Sequence, residues 1–165
     1  MMDGRERRGV GSGGTVREAT VADVSRLVEL MSDFFAEAYL TLDRDRAGEV
    51  FMKLLADMRL GEVGVITLDG GTVGYYVLIF AMSMEYGDLV AWLDDLYVQP
   101  AVRGRGLGSL ALAHMLERCH ARAVRALSVE VSPDNVGARH LYASAGMTPV
   151  RRDLLTLSLG ETLNG

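Results

Sequence analysis

The sequence predicts a mixed α/β domain, a mostly antiparallel β-sheet flanked by helices and carrying one parallel βαβ unit. Three observations predict it. Apolar residues recur at spacings of three and four in four segments, and run continuously or alternate in several others, which separates helices from strands. The order of these patterns is strand, two helices, three strands, helix, strand, helix, strand, so both element types mix along the chain. Within that order, a strand at 91–98, a glycine-rich loop, a helix and a strand at 126–131 form a βαβ unit, whose strands are expected parallel with a right-handed crossover. With 165 residues the chain has room for one domain and one core.

The elements follow in order. Residues 1–14 combine five glycines with Arg5, Arg7 and Arg8 and no apolar run, and read as a disordered leader without signal-peptide character. The folded domain is expected over 15–160, with 161–165 as a tail. Thr15 to Glu18 reads as a first strand. Thr20 is a plausible N-cap for a helix carrying Val21, Val24, Leu27, Val28, Met31 and Phe35 on one face and ending near Tyr39. Asp43 opens a second helix through Val50, Phe51, Leu54, Leu55 and Met58, with Gly61 in place for a C-terminal cap. Val63 to Leu68 and Val73 to Met84 form a hairpin, because Asp69-Gly70-Gly71 supplies residues that tolerate positive φ. Tyr86-Gly87-Asp88 turns the chain into the strand Leu89 to Val98, which Pro100 ends. Leu107 to Arg122 is helical, with Leu110, Ala111, Met115 and Cys119 on its apolar face. After the strand Ala126 to Val131, Ser132-Pro133-Asp134-Asn135 starts a helix that Gly146 caps. A short strand near Met147 and a last strand, Leu154 to Leu159, complete the pattern.

Composition narrows the function. Lysine and arginine number 17 against 22 acids, a net charge of −5, which argues against a nucleic-acid binder and suits cationic small molecules better. The longest apolar stretch, Val73 to Met84, is too short for a membrane helix, which needs about 18 residues, and its β-branched and aromatic start reads as a buried strand. Neither nucleic acid nor membrane is expected as a partner. The single cysteine, Cys119, allows no internal disulfide and fits a reducing cytoplasm. It lies on an apolar helix face with no adjacent base, so it reads as packing rather than as an acyl carrier. His114, His120 and His140 lack ligand spacing, so no metal is expected and solvated helix positions account for them.

The chemistry concentrates in Arg103-Gly104-Arg105-Gly106-Leu107-Gly108-Ser109, between a strand and a helix start. Glycine admits close backbone approach, successive N–H groups form an anion nest, and the helix dipole adds positive potential. This reads as a phosphate cradle, against the simpler reading of a flexible loop. Gly106-Leu107-Gly108-Ser109-Leu110-Ala111 also satisfies the G-x-G-x-x-A dinucleotide fingerprint. However, the loop lies too far beyond its strand, and the remaining chain is too short for a dinucleotide domain.

Three spaced motifs, Leu93-Asp94-Asp95-Leu96-Tyr97-Val98-Gln99-Pro100, Arg103-x-x-Gly106-x-Gly108 and Asn135-x-x-Ala138-x-x-x-Tyr142-x-x-x-Gly146-Met147, resemble the GCN5-related N-acetyltransferase (GNAT) superfamily. The aspartate pair looks most like its polyamine and diamine acetyltransferase branch. The resemblance implies acetyl-CoA as co-substrate, with its pyrophosphate on the backbone of Arg103, Gly104, Arg105, Gly106, Leu107, Gly108 and Ser109. It places pantetheine beside Leu96, Tyr97 and Val98 like an added strand, and beside Asn135, which reads equally well as a helix N-cap. It implies that Tyr142 protonates the departing thiolate and that Asp94 accepts the amine proton, directly or through water or a neighbour such as Glu85. Asp95 is expected on the opposite face of its strand from Asp94, as a structural acid.

The resemblance, in which the first helices and the hairpin end border the acceptor, also makes Phe34, Phe35, Glu37, Tyr39, Met84 and Glu85 candidate acceptor contacts, with core packing and exposure as equal alternatives. The expected activity is acetyl transfer to a primary amine, favouring a small polyamine-like cation. The alternatives are a protein N-terminus, a lysine or an aminoglycoside, and, in another class, a regulatory acyl-CoA-binding module without turnover. A homodimer is compatible with the sequence.

Overall fold

The computed structural model describes residues 6–8 and 13–160. The strands are β1 (Glu6–Arg8), β2 (Gly14–Glu18), β3 (Gly61–Leu68), β4 (Gly71–Ser83), β5 (Asp88–Val98) and β6 (Leu127–Val129), and the helices are α1 (Val24–Glu37), α2 (Arg44–Ala56), α3 (Leu107–Ala121) and α4 (Val136–Ser144). One six-stranded sheet runs in sequence order from β1 to β6. Every neighbouring pair is antiparallel except β5 and β6, which are parallel. The expected fold class is the observed one.

Local chemistry sets the element ends. Asp43 caps α2 by accepting a hydrogen bond from the Arg46 N–H. The β3–β4 turn places Asp69 at φ 50° and Gly70 at φ 83°, the left-handed pair that a two-residue hairpin requires. Apolar side chains then cover both sheet faces. On one, Val16, Ile66, Tyr76, Leu78, Ala91 and Leu93 pack with α3 and α4. On the other, Val63, Val65, Tyr75, Val77 and Tyr97 pack with α1 and α2. Glu62 is buried among these strands and is satisfied by the Tyr76 hydroxyl at 2.8 Å and by Arg118 at 2.9 Å, with Glu18 as a further partner of Arg118. This network fastens α3 to β2 and β3, since removing one member would strand a buried charge.

Several expectations change. A 3-10 turn over Val21–Asp23 precedes α1. The second helix stops at Ala56, and Gly61 is the first residue of β3 rather than its cap. The expected leader includes a short strand, Glu6–Arg8, paired to β2, while its other residues before Gly13 and the tail 161–165 lie outside the described residues. Neither late strand forms. Pro149 cannot donate to a ladder, and Leu154, Leu155, Leu157 and Leu159 are exposed with no strand beside them. His114, expected in solvent, is 1% exposed, because α3 is covered on more of its circumference than its apolar stripe implies. Burial pushes the His114 imidazole below its usual range. No described helix is long and apolar enough to cross a membrane.

Candidate functional site

The site is built where β5 outlasts β6. Their pairing covers only Ala91, Trp92 and Leu93, so beyond Leu93 the β6 side of β5 carries no strand. Ala91 sends its N–H toward β6, to Ala126 O, while Gln99 sends its N–H toward β4, to Val73 O. By strand alternation, Leu96 and Val98 turn their backbone groups to the open side. This edge can accept an extended ligand as an added strand.

The edge leads into the glycine-rich loop. Gly104 and Gly106 hold φ 76° and 79°, and Gly106 precedes the first helical residue of α3, Leu107. Among the described residues, none of the six N–H groups from Gly104 to Ser109 donates to an acceptor in the chain. Unpaired N–H donors at a helix N-terminus can hold an anion without side-chain help. The Arg103 side chain is engaged elsewhere. Its Nε donates to Val98 O at 2.8 Å, its Nη2 donates to Glu37 at 2.7 and 2.9 Å, and its guanidinium lies 5.5 Å from the Tyr97 ring centroid. Arg105 remains exposed beside the loop.

Asp94 and Asp95 share a cavity. Asp95 pairs with Val77 and Leu93 with Leu78, which leaves Asp94 without a partner in a β-bulge. The bulge shifts the strand's phase, so Asp95 does not take the opposite face from Asp94. Both aspartates line a mostly apolar cavity of about 100 Å³ whose walls include Met31, Phe51, Leu54 and Val77. Burial raises the Asp94 carboxyl above its ordinary range. Asp95 is pushed up to about 6 by burial, and its neighbour Asp94 adds to this. The Tyr75 hydroxyl donates to Asp95 at 2.9 Å and opposes the shift. The apolar periodicity of β5 does not mark the bulge, and two adjacent aspartates inside an otherwise apolar strand are its trace in the sequence.

Tyr142 lies on α4, 8% exposed, among the side chains that pack on α3. Burial raises its hydroxyl above the usual range, so it stays protonated at neutral pH. Asn135 accepts a hydrogen bond from the Ala138 N–H at 3.0 Å and caps α4.

The outer acceptor candidates do not gather around Asp94. Glu85 pairs with Arg152 at 2.8 Å in the β4–β5 turn, beyond the last strand pair, Ser83 and Asp88, which is itself five residues from the bulge, or about 16 Å at strand rise. Met84 and Tyr39 are 98% and 99% exposed. Glu37 faces Arg103, while Phe34 stacks 5.4 Å from Tyr97 and Phe35 packs within the α1/α2 cluster. The cavity residues Met31, Phe51 and Leu54 were legible only as helix faces. Among the described residues, no group of three or more His, Cys, Asp or Glu side chains could hold a metal.

Comparison with known proteins places this geometry. An integron cassette protein, HFX_CASS3, from the mobile metagenome of Cole Harbour Salt Marsh superposes with a TM-score of 0.84 at 39% identity, over 91% of this chain and 93% of that one. A candidate bS18-alanine N-acetyltransferase of Bacillus subtilis (strain 168) is 25% identical over 143 residues, 86% of each chain. L-2,4-diaminobutyric acid acetyltransferase of Bordetella parapertussis is 34% identical over 74 residues, 45% of this chain and 39% of that protein. The acetyltransferase (GNAT) family model matches residues 24–147, a span that contains the bulge, the open edge, the loop and Tyr142. The chain therefore belongs to the GNAT family of acetyltransferases and is an N-acetyltransferase that draws its acetyl group from acetyl-CoA.

Proposed function

We propose that this enzyme acetylates a small primary amine with a cationic, polyamine-like character. The observation that carries the reading is the cavity in which two carboxylates, Asp94 and Asp95, stand against an aliphatic and aromatic wall. A carbon chain suits the wall, and an ammonium group suits the carboxylates. The short match to a diaminobutyrate acetyltransferase supports the same acceptor chemistry.

In this reading the loop from Arg103 to Ser109 holds the pyrophosphate of acetyl-CoA through its backbone, and Leu96, Tyr97 and Val98 border the pantetheine, with Asn135 beside it. Asp94 takes the proton from the bound ammonium, directly or through one water, and the neutral amine attacks the thioester carbonyl. Tyr142 donates a proton as the sulfur leaves, so the acetyl group moves from sulfur to nitrogen without an enzyme-bound intermediate. Asp95, bonded to Tyr75, holds negative charge beside the amine.

The match to the Bacillus subtilis protein covers most of the chain and favours a second acceptor, the N-terminal amine of a protein. Thiol release from acetyl-CoA, measured across diamines, monoamines, aminoglycosides and alanine-starting peptides, separates the two. Fastest turnover on a short diamine is the expected result. Turnover confined to the peptides would overturn the small-amine reading.

A further inference from the structure

Two successive tyrosines of β4 each donate to a carboxylate, on opposite faces of the sheet, and the chain completes only one of the two arrangements. Tyr76 donates to Glu62 at 2.8 Å, and Arg118 closes the same carboxylate through two nitrogens. Tyr75 donates to Asp95 Oδ2 at 2.9 Å. Among the described residues no cationic side chain pairs with Asp95 or Asp94, and no donor reaches Asp95 Oδ1. Asp94 and Asp95 are also the only ionisable side chains that line the cavity.

The Tyr75 hydroxyl is held in one place. Tyr75 stands two residues from Val77, the cross-strand partner of Asp95, the diagonal at which long side chains on one face meet. Its ring is fully buried, edge-on to Phe51 at 6.0 Å and 6.2 Å from Tyr97. Burial, with Asp95 adding to it, pushes the phenol above its usual range, so it remains a donor. Asp94 differs from its neighbour, since among the described residues its carboxylate receives no donor, and it is the more exposed of the two.

We infer that Tyr75 is a specificity-determining positioning residue, which fixes Asp95 as the anchor of the acceptor's second, non-reacting ammonium and leaves Asp94 to take the proton from the first. The assignment rests on the small-amine reading above and deepens it, by naming the group that tells a diamine from a monoamine. A hydrogen bond donated to one carboxylate oxygen favours the charged form and holds the side chain in one rotamer, so the acid meets a cation already ionised and already in place. Adjacent Cα atoms lie about 3.8 Å apart, so two ammonium groups separated by a few methylenes can each reach a carboxylate. The apolar walls offer a second charge no other partner.

Steady-state kinetics of the full chain with putrescine and butylamine, which share a carbon chain but carry two charges and one, read the assignment. The parent should show a KM for putrescine about tenfold below that for butylamine, the size of one charge-assisted contact. Tyr75→Phe keeps the buried ring and should raise the putrescine KM by about tenfold, with kcat, the butylamine KM and acetyl-CoA affinity within about twofold of the parent. Asp95→Asn should do the same, and the two changes together should lose no more than either alone. Tyr76→Phe, which removes the matching hydroxyl on the other face, should lower the melting temperature and leave both KM values in place. Equal KM values for the two amines in the parent would overturn the assignment while the small-amine reading stands, and turnover confined to peptides would overturn both. A Tyr75→Phe enzyme that only melts earlier, with its KM ratio kept, would make Tyr75 a packing residue. Additive losses in the double variant would show that it does not act through Asp95.

Discussion

Arg103 and Glu37, 66 residues apart, close a bidentate ion pair that straps the cradle loop to the C-terminal end of α1. Tyr97 joins them, since Glu37 also accepts from its hydroxyl, and burial together with that carboxylate pushes the phenol up to about 12. In the proposed site the arginine would thereby position the loop and leave the backbone to face the anion. Arg103→Ala should weaken acetyl-CoA binding about three- to tenfold, the range of a partly exposed pair with an aromatic contact. Glu37→Gln should reproduce part of that loss in calorimetry. Unchanged affinity in Glu37→Gln alongside a large loss in Arg103→Ala would show instead that the guanidinium touches the phosphate itself.

Gly106 tests the cradle more cleanly than Gly108. At φ 79° an alanine costs about 1 to 2 kcal/mol, so Gly106→Ala should lower acetyl-CoA affinity by roughly tenfold. A side chain at Gly108 meets Leu141 of α4 at 3.3 Å, so Gly108→Val should appear first as a lower melting temperature. Equal thermal damage and equal affinity in the two variants would contradict this division.

Asp94→Asn should slow turnover most at low pH, where the acceptor amine is protonated and needs a base, while acetyl-CoA affinity stays near that of the parent. The readout is the pH–rate profile of kcat/KM. Profiles of identical shape for variant and parent would remove Asp94 from the proton transfer.

Asp95 makes a prediction about stability. Its folded-state value, about 6, lies above its ordinary 3.8, so the folded protein binds this proton more tightly than the unfolded chain does. Stability is therefore lost as pH rises from about 4 to 6, and the penalty is fully present above that window. Asp95→Asn should raise stability at pH 7.5 by up to roughly 3 kcal/mol, at 1.36 kcal/mol per unit, and by much less at pH 4. Asparagine can still accept from Tyr75. Denaturant unfolding at the two pH values decides it, and a gain larger at pH 4 would reverse the sign.

Tyr142→Phe keeps the buried ring and removes one hydroxyl. Turnover should fall by about 10², the lower end for loss of a general acid, because a thiolate can leave unaided. The melting temperature should hardly move. A kcat equal to the parent's, with chemistry rate-limiting, would leave Tyr142 as a packing residue.

Much of this molecule was legible in its residues, for reasons that differ by element. The Asp69-Gly70 turn, the Asp43 cap and the apolar β4 strand are written in local chemistry, and the structure follows them. The glycine-rich loop and the helix carrying Tyr142 stand where motif spacing places them, because such spacing survives wherever a strand, a loop and a helix keep their lengths. The placement of Asp95 was missed because strict alternation assumes a regular ladder, and a bulge depends on the partner strand as much as on its own. The surroundings of the acceptor candidates were not legible for a similar reason. Glu85 and Glu37 sit next to plausible elements in sequence, but Arg152 and Arg103 hold them away from Asp94. His114 was misjudged because a helix's buried circumference is set by what packs on it.

The bulge at Asp94 has a consequence for how the gene can change. Both faces of the sheet are covered, and on either side of the extra residue β5 carries apolar neighbours, Leu93 before it and Leu96 and Tyr97 after it. Deleting the single Asp94 codon would restore an even ladder in which Asp95 keeps Val77, Leu96 keeps Tyr76 and Tyr97 keeps Tyr75 as partners, so every side chain after the bulge would keep its face. The sheet, the tyrosine under Arg103 and the open edge would stand as before, and the cavity would lose one of its two aspartates. In the proposed mechanism, one residue of length thus separates a chain that folds from a chain that acetylates.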